Sequence, residues 1–154
     1  MRIFESTNLT TEQKEHIFRL WNQEYPEKLK YQDLSGFENY LNELTDQKHF
    51  LLTDDANKIS GWSFSFIRHN EKWFAMILDK KIHRLGYGTM LLDKLKEQEI
   101  KLNGWVIDHD MDKKENGERY VSPLDFYLKN GFVILPDIRL ELTKISAVKI
   151  QWTK

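Results

Sequence analysis

His83-Arg84-Leu85-Gly86-Tyr87-Gly88 joins an apolar run that ends at Leu78 to a helical pattern that begins near Tyr87. Glycines let the backbone turn tightly at a helix start, where unpaired amides and the positive end of the helix dipole collect phosphate oxygens. Arg84 adds a positive charge beside them. No Gly-Lys-Ser/Thr follows, as a P-loop requires, and no third glycine completes a dinucleotide fingerprint. The stretch therefore predicts either a phosphate-bearing ligand of another kind or a purely structural turn.

Working outward, three aromatic and aliphatic runs precede the turn: His49–Thr53, Ile59–Arg68 and Trp73–Leu78. They are broken at Asp54-Asp55-Ala56-Asn57 and His69-Asn70-Glu71, polar turn clusters that predict a three-stranded antiparallel meander. Before the meander, Met1–Ser6 predicts a short strand. Thr10 with Gln13 predicts a capping box for a helix bearing Ile17, Leu20 and Trp21, which Pro26 stops near Tyr25. Phe37, Tyr40, Leu41 and Leu44 give a second, shorter helix. After the turn, Leu91, Leu92, Leu95 and Leu102 fall on one helical face, with Asn103-Gly104 as its stop. Trp105–Asp108 is a short strand, and Met111–Tyr120 an exposed loop. Ser122-Pro123, with Asp125 at the capping-box position, opens a last helix that Gly131 ends. Phe132–Thr143 and Ala147–Trp152 close the chain as strands. The order is that of an α+β domain with a mixed sheet, expected to be a single domain over residues 1–154.

The segment Phe126-Tyr127-Leu128-Lys129-Asn130-Gly131-Phe132 supplies a second signal. Phe126 and Phe132 are core anchors, Gly131 is the left-handed residue that ends a helix, and Tyr127 is an aromatic with a polar handle. A glycine turn, a leucine-faced helix, a short strand and then this segment, in this order, resemble the GCN5-related N-acetyltransferase (GNAT) family. That family carries Gln or Arg, two residues, then Gly-x-Gly or Gly-x-Ala, and later an aromatic-Tyr-x-x-x-Gly-Phe segment. Gly86, Gly88, Phe126, Tyr127, Gly131 and Phe132 match; His83 departs from the Gln or Arg.

The resemblance implies about seven strands flanked by four helices, with a splay between the fourth and fifth strands. It implies acetyl-CoA as cosubstrate, its pyrophosphate cradled by amides of Arg84 to Thr89 (Arg84, Leu85, Gly86, Tyr87, Gly88, Thr89), with His83 beside them. The pantetheine arm is expected between Met76-Ile77-Leu78 and Trp105–Asp108. The amide of Leu78 is the implied donor to the carbonyl oxygen on which charge grows as an amine attacks. Tyr127 matches the general-acid position, a phenol of pKa ~10 set to protonate a thiolate of pKa ~8.5. Asp79 and His109, each directly after a strand flanking the splay, are the candidates for a base.

Composition narrows the partners. The chain has 154 residues, a net charge of −1, and no cysteine. Disulfides, thiolate metal sites and a covalent acyl-cysteine are thereby excluded. The charge gives no general attraction to nucleic acid or anionic lipid. No apolar stretch is long enough to cross a membrane, and a cytoplasmic location is the default expectation. Asp108-x-Asp110-x-Asp112 begins like a calcium loop, but Lys113 stands at the glycine position and Arg119 at the bidentate glutamate position, so no metal is expected. The five tryptophans are expected in the core. The acceptor amine is not legible, although Glu24, Glu27 and Asp33 are acids able to attract a cation. A monomer is expected, or a homodimer paired through the edge of the last strand. Two other readings fit the same residues: an acyl-CoA-binding domain without turnover, and an interaction module that binds no CoA.

Overall fold

The computed structural model describes residues 1–154. Thr10 caps α1 (Thr11–Glu24) as expected, its hydroxyl accepting from the Gln13 amide while the Gln13 side chain accepts from the Thr10 amide. The chain leaves α1 in an extended Tyr25, immediately before Pro26. Helix α2 (Leu34–Asn42) begins before Phe37 because the Asp33 carboxylate accepts from the Gly36 amide at 3.0 Å and fixes the start there. Both helices lie on one face of the sheet, where Ile17, Leu20, Trp21, Phe37 and Leu41 pack on Trp62, Phe64, Phe66 and Trp73.

Seven strands form one sheet: β1 (Arg2–Ser6), β2 (Thr45–Thr53), β3 (Ile59–Arg68), β4 (Glu71–Leu78), β5 (Lys101–Ile107), β6 (Val133–Leu142) and β7 (Ile145–Thr153). Their order is β1-β2-β3-β4-β5-β7-β6, with β4 and β5 parallel and every other pair antiparallel. The mixed sheet expected from the sequence is present, and β2 begins earlier than His49. Helices α3 (Tyr87–Glu97) and α4 (Leu124–Lys129) cover the second face, where Leu91, Leu92 and Leu95 meet Phe74, Tyr127 and Phe132.

Three expectations need correction. Helix α3 ends at Glu97, and Leu102, Asn103 and Gly104 belong to β5. Leu102 joins the same apolar layer as the α3 leucines from a strand, so its spacing imitates the helix period. Gly104 is no helix stop: a Cβ there would lie 2.7 Å from Phe74 Cε1, so its bareness makes room for a ring. Second, α4 starts at Leu124 without the Ser122/Asp125 box. The Ser122 hydroxyl accepts from the Leu124 amide at 3.2 Å and donates to the Ile107 carbonyl at 2.6 Å, tying the helix start to the end of β5. Third, the last strand has no free edge. It lies between β5 and β6, and the sheet ends at β6 and β1.

The β4–β5 contact positions the site. Trp73 opposite Asn103 is the single paired position, after which β4 runs on to Leu78 and β5 to Ile107 without pairing. Asn103 is wholly buried at the hinge of this gap. Its side chain donates to the Lys72 carbonyl at 3.0 Å and accepts from Gln151 at 2.9 Å.

Candidate acyl-transfer site

The turn after β4 is built to present amides. Asp79 caps a short 3-10 turn (Lys80–Ile82), and the chain then passes through Arg84 at φ +63° and Gly86 at φ +89° into α3. The first backbone bond of the helix runs from the Met90 amide to the Gly86 carbonyl. The amides of Arg84, Leu85, Gly86, Tyr87, Gly88 and Thr89 thus have no partner within the chain. Six consecutive free donors at the positive end of an 11-residue helix suit a pyrophosphate. A Cβ on Gly86 would meet nothing within 4 Å, so the cradle is open at that point. Gly88 instead serves packing. A Cβ there would come within 3.0 Å of Phe126, so the glycine turn and the aromatic segment of α4 pack directly together.

The gap beside this turn is lined by backbone as well as side chains. The Asp79 amide donates to the Ser60 carbonyl at 2.8 Å, which makes Gly61 and Leu78 a non-hydrogen-bonded pair. The amide and carbonyl of Leu78 consequently turn away from β3 toward the gap, as do those of Met76 two residues earlier. His83 Nε2 donates to the Leu78 carbonyl at 2.9 Å, so the residue that departs from the family pattern braces the end of β4. Met76 and Leu78 side chains lie in the α3-face layer, and Ile77 in the α1-face core.

Two phenols approach the gap from opposite faces. Tyr25, at the end of α1, donates its hydroxyl to the Met76 carbonyl at 3.3 Å. Tyr127, on α4, is 6 % exposed, its ring held by Phe74, Phe126 and Phe132 at centroid distances of 5.6, 5.2 and 5.5 Å. Its hydroxyl has no partner in the chain and is not among the fully enclosed polar atoms, so it is open to a ligand. Burial, then the neighbouring Tyr120, pushes the Tyr127 phenol well above its ordinary range. Tyr25 is raised in the same way, by burial first and Tyr127 next.

The loop after β5, expected to be simply exposed, folds back with a Lys113–Arg119 bridge and spans from α1 to the turn after β4. Ion pairs hold it: Lys28–Asp112 (2.8 Å), Lys30–Glu115 (3.6 Å), Lys80–Glu118 (2.7 Å) and the buried Lys114–Glu24 (2.8 Å). It brings Tyr120 to 6.4 Å from Tyr25, ring to ring. Asp79 is buried, with Oδ1 accepting from the Lys81 amide at 2.9 Å. His109 Nδ1 accepts from the Met111 amide at 3.1 Å, and Nε2 stands 3.9 Å from Asp112 Oδ2. Of the acids noted as able to attract a cation, Glu24 is taken by Lys114 and the Lys80 amide, and Asp33 caps α2. Tyr25 and Tyr120 carry no local sequence signal for this site, because contacts distant in sequence assemble them.

No family model matches the sequence, and no curated protein sequence matches it. Solved structures do. An aminoglycoside 6'-N-acetyltransferase complexed with coenzyme A superposes with a TM-score of 0.74 at 14% identity, over 99% of this chain and 97% of that one. An acetyltransferase of the GNAT family from Staphylococcus aureus Mu50 gives 0.66 at 20% identity, over 99% of both chains. The ribosomal-protein-S18-alanine N-acetyltransferase from Escherichia coli gives 0.64 at 14% identity, over 99% and 94%. With one mixed seven-stranded sheet, a gap between its two parallel strands and superposition over nearly the whole chain, residues 1–154 have the fold of the GNAT acyl-CoA N-acetyltransferases.

Proposed function

We propose that the protein moves an acetyl group from acetyl-CoA to an amine by direct attack within a ternary complex, the whole chain acting as one catalytic domain. The observation that carries this reading is the run of six unpartnered amides, Arg84 to Thr89, beside a gap onto which the Leu78 amide faces. The amides would hold the pyrophosphate, with Arg84 adding charge. Met76, Ile77 and Leu78 would flank the pantetheine arm.

In the reaction, the amine nitrogen bonds to the thioester carbonyl carbon and the carbon–sulfur bond breaks. The Leu78 amide donates to the carbonyl oxygen as charge develops there. Tyr127 is the proton donor to the departing thiolate. Its raised pKa keeps the proton in place through the physiological range. A thiolate formed in the same dry gap is itself desolvated and made more basic, which brings donor and acceptor closer in strength. The amine attacks as the neutral free base, and the one surplus proton its nitrogen then carries passes to the phenolate, which restores Tyr127.

Calorimetric titration with acetyl-CoA tests this reading. Micromolar binding is expected, abolished by Gly86→Glu, which fills the open cradle with a carboxylate. Failure of the wild-type protein to bind acetyl-CoA would remove both catalysis and acyl-CoA sensing, and leave an interaction module.

A further inference from the structure

The edge of β4 that faces the gap presents four backbone groups, the amides and carbonyls of Met76 and Leu78, because alternate residues bond to β3 and β5 pairs only at Trp73. The two carbonyls are already engaged by side chains of the same chain. Tyr25 donates to that of Met76 at 3.3 Å, and His83 Nε2 donates to that of Leu78 at 2.9 Å. The edge thus shows the gap two open donors and two covered acceptors.

The two covers differ in how they are held. Tyr25 packs edge-on against Trp21 with ring centroids 4.6 Å apart and stands beside Tyr120, so its hydroxyl cannot leave without moving a packed ring. His83 is exposed, and its single side-chain hydrogen bond is the one to Leu78. Its amide closes the short 3-10 turn on the Lys80 carbonyl at 3.2 Å, immediately ahead of the cradle amides. A hydrogen bond made by an exposed ring contributes little net stability, and its release unpacks no core residue.

The arm of an acyl-CoA carries two secondary amides, and along an unpaired strand edge such groups bond as a further strand would. With the thioester carbonyl on the Leu78 amide, the amide that follows the sulfur along the arm comes level with the Leu78 carbonyl. Its N–H meets an oxygen already capped by an imidazole. We propose that His83 is a displaceable stand-in for the cofactor's arm, holding the Leu78 carbonyl in the free protein and yielding it to an amide N–H of the arm, so that this side chain sets how tightly the arm is held. The proposal rests on the acetyl-transfer reading.

The test compares two probes by calorimetry: CoA, and 3′-phosphoadenosine 5′-diphosphate, which keeps the pyrophosphate and lacks the arm. His83→Ala removes the competing donor and leaves the backbone of the edge in place. It is expected to bind CoA about three- to tenfold more tightly than the wild type, the span of one hydrogen bond no longer exchanged. Its affinity for the armless nucleotide should stay within about twofold of the wild type. A CoA affinity unchanged or lowered in His83→Ala would overturn the proposal, and so would an equal gain for both probes, which would assign the effect to the phosphates. Those outcomes leave the acetyl-transfer reading standing, because CoA still binds. If neither protein binds CoA, that reading falls, and the stand-in falls with it.

Discussion

Tyr127 combines a packed ring with a hydroxyl that nothing in the chain occupies. Phenylalanine keeps the three ring contacts and removes only the oxygen. Tyr127→Phe is therefore expected to lower kcat by about 100-fold, the scale of a lost general acid, with acetyl-CoA affinity unchanged by calorimetry. His49 makes a contrasting case, a titratable group that serves the core. It is 1 % exposed and its Nδ1 accepts from Trp62 Nε1 at 3.0 Å. Burial, then Lys14, lowers its pKa from 6.5 to about 4. Below pH 6.5 the unfolded chain takes up a proton that the folded chain refuses until about pH 4, so stability falls as pH falls through that window. The linkage amounts to about 3 kcal/mol. Urea unfolding free energies of wild type and His49→Gln, followed from pH 7 to 4, should change relative to one another by about that amount, since the carboxylates common to both cancel.

At the scale of elements, the site is a consequence of two strands that part after one paired position. Parallel pairing of β4 and β5 stops at Trp73–Asn103, and Asn103 spans the junction with one bond to each side. An alanine there would leave the Lys72 carbonyl and the Gln151 amide without their partner. Asn103→Ala is expected to cost about 2–3 kcal/mol in denaturant unfolding, and Asn103→Asp to recover none of it, because a buried carboxylate accepts from Gln151 but cannot donate to the Lys72 carbonyl. The glycine turn and α4 form the second element-level unit. Gly88 admits Phe126 at close range, and Thr89 donates to the Asn130 side chain at 3.2 Å. These contacts explain physically why the two motifs of the sequence occur together: each completes the packing of the other.

Over the whole molecule, helices α1 and α2 cover β2–β4 on one face and α3 and α4 back the other, so the gap opens between two cores. One phenol reaches it from each side, Tyr25 from the first and Tyr127 from the second. No helix is long and apolar enough to cross a membrane. The loop between β5 and α4 closes the arrangement by pinning itself to α1 and to the turn after β4. Its outer ion pairs are exposed and contribute little stability each, whereas the Lys114–Glu24 pair is buried and costly to break alone.

The sequence by itself determined the order of elements, the capping of α1, the glycine turn and the aromatic segment, because each depends on residues within a few positions of one another. Periodicity misassigned Leu102-Asn103-Gly104, since a strand leucine in the same apolar layer as α3 imitates a helical face. The inward place of β7 was likewise not legible, because strand order is set by which edges find partners. Tyr25 appeared only as a helix end before Pro26, and Asp112 only as a failed calcium ligand. The place of Tyr25 on the Met76 carbonyl and the burial of Asp112 arise when chain segments far apart in sequence are brought together. Desolvation and hydrogen-bond satisfaction, which decide what a carboxylate or a phenol can do, exist only in that assembled environment.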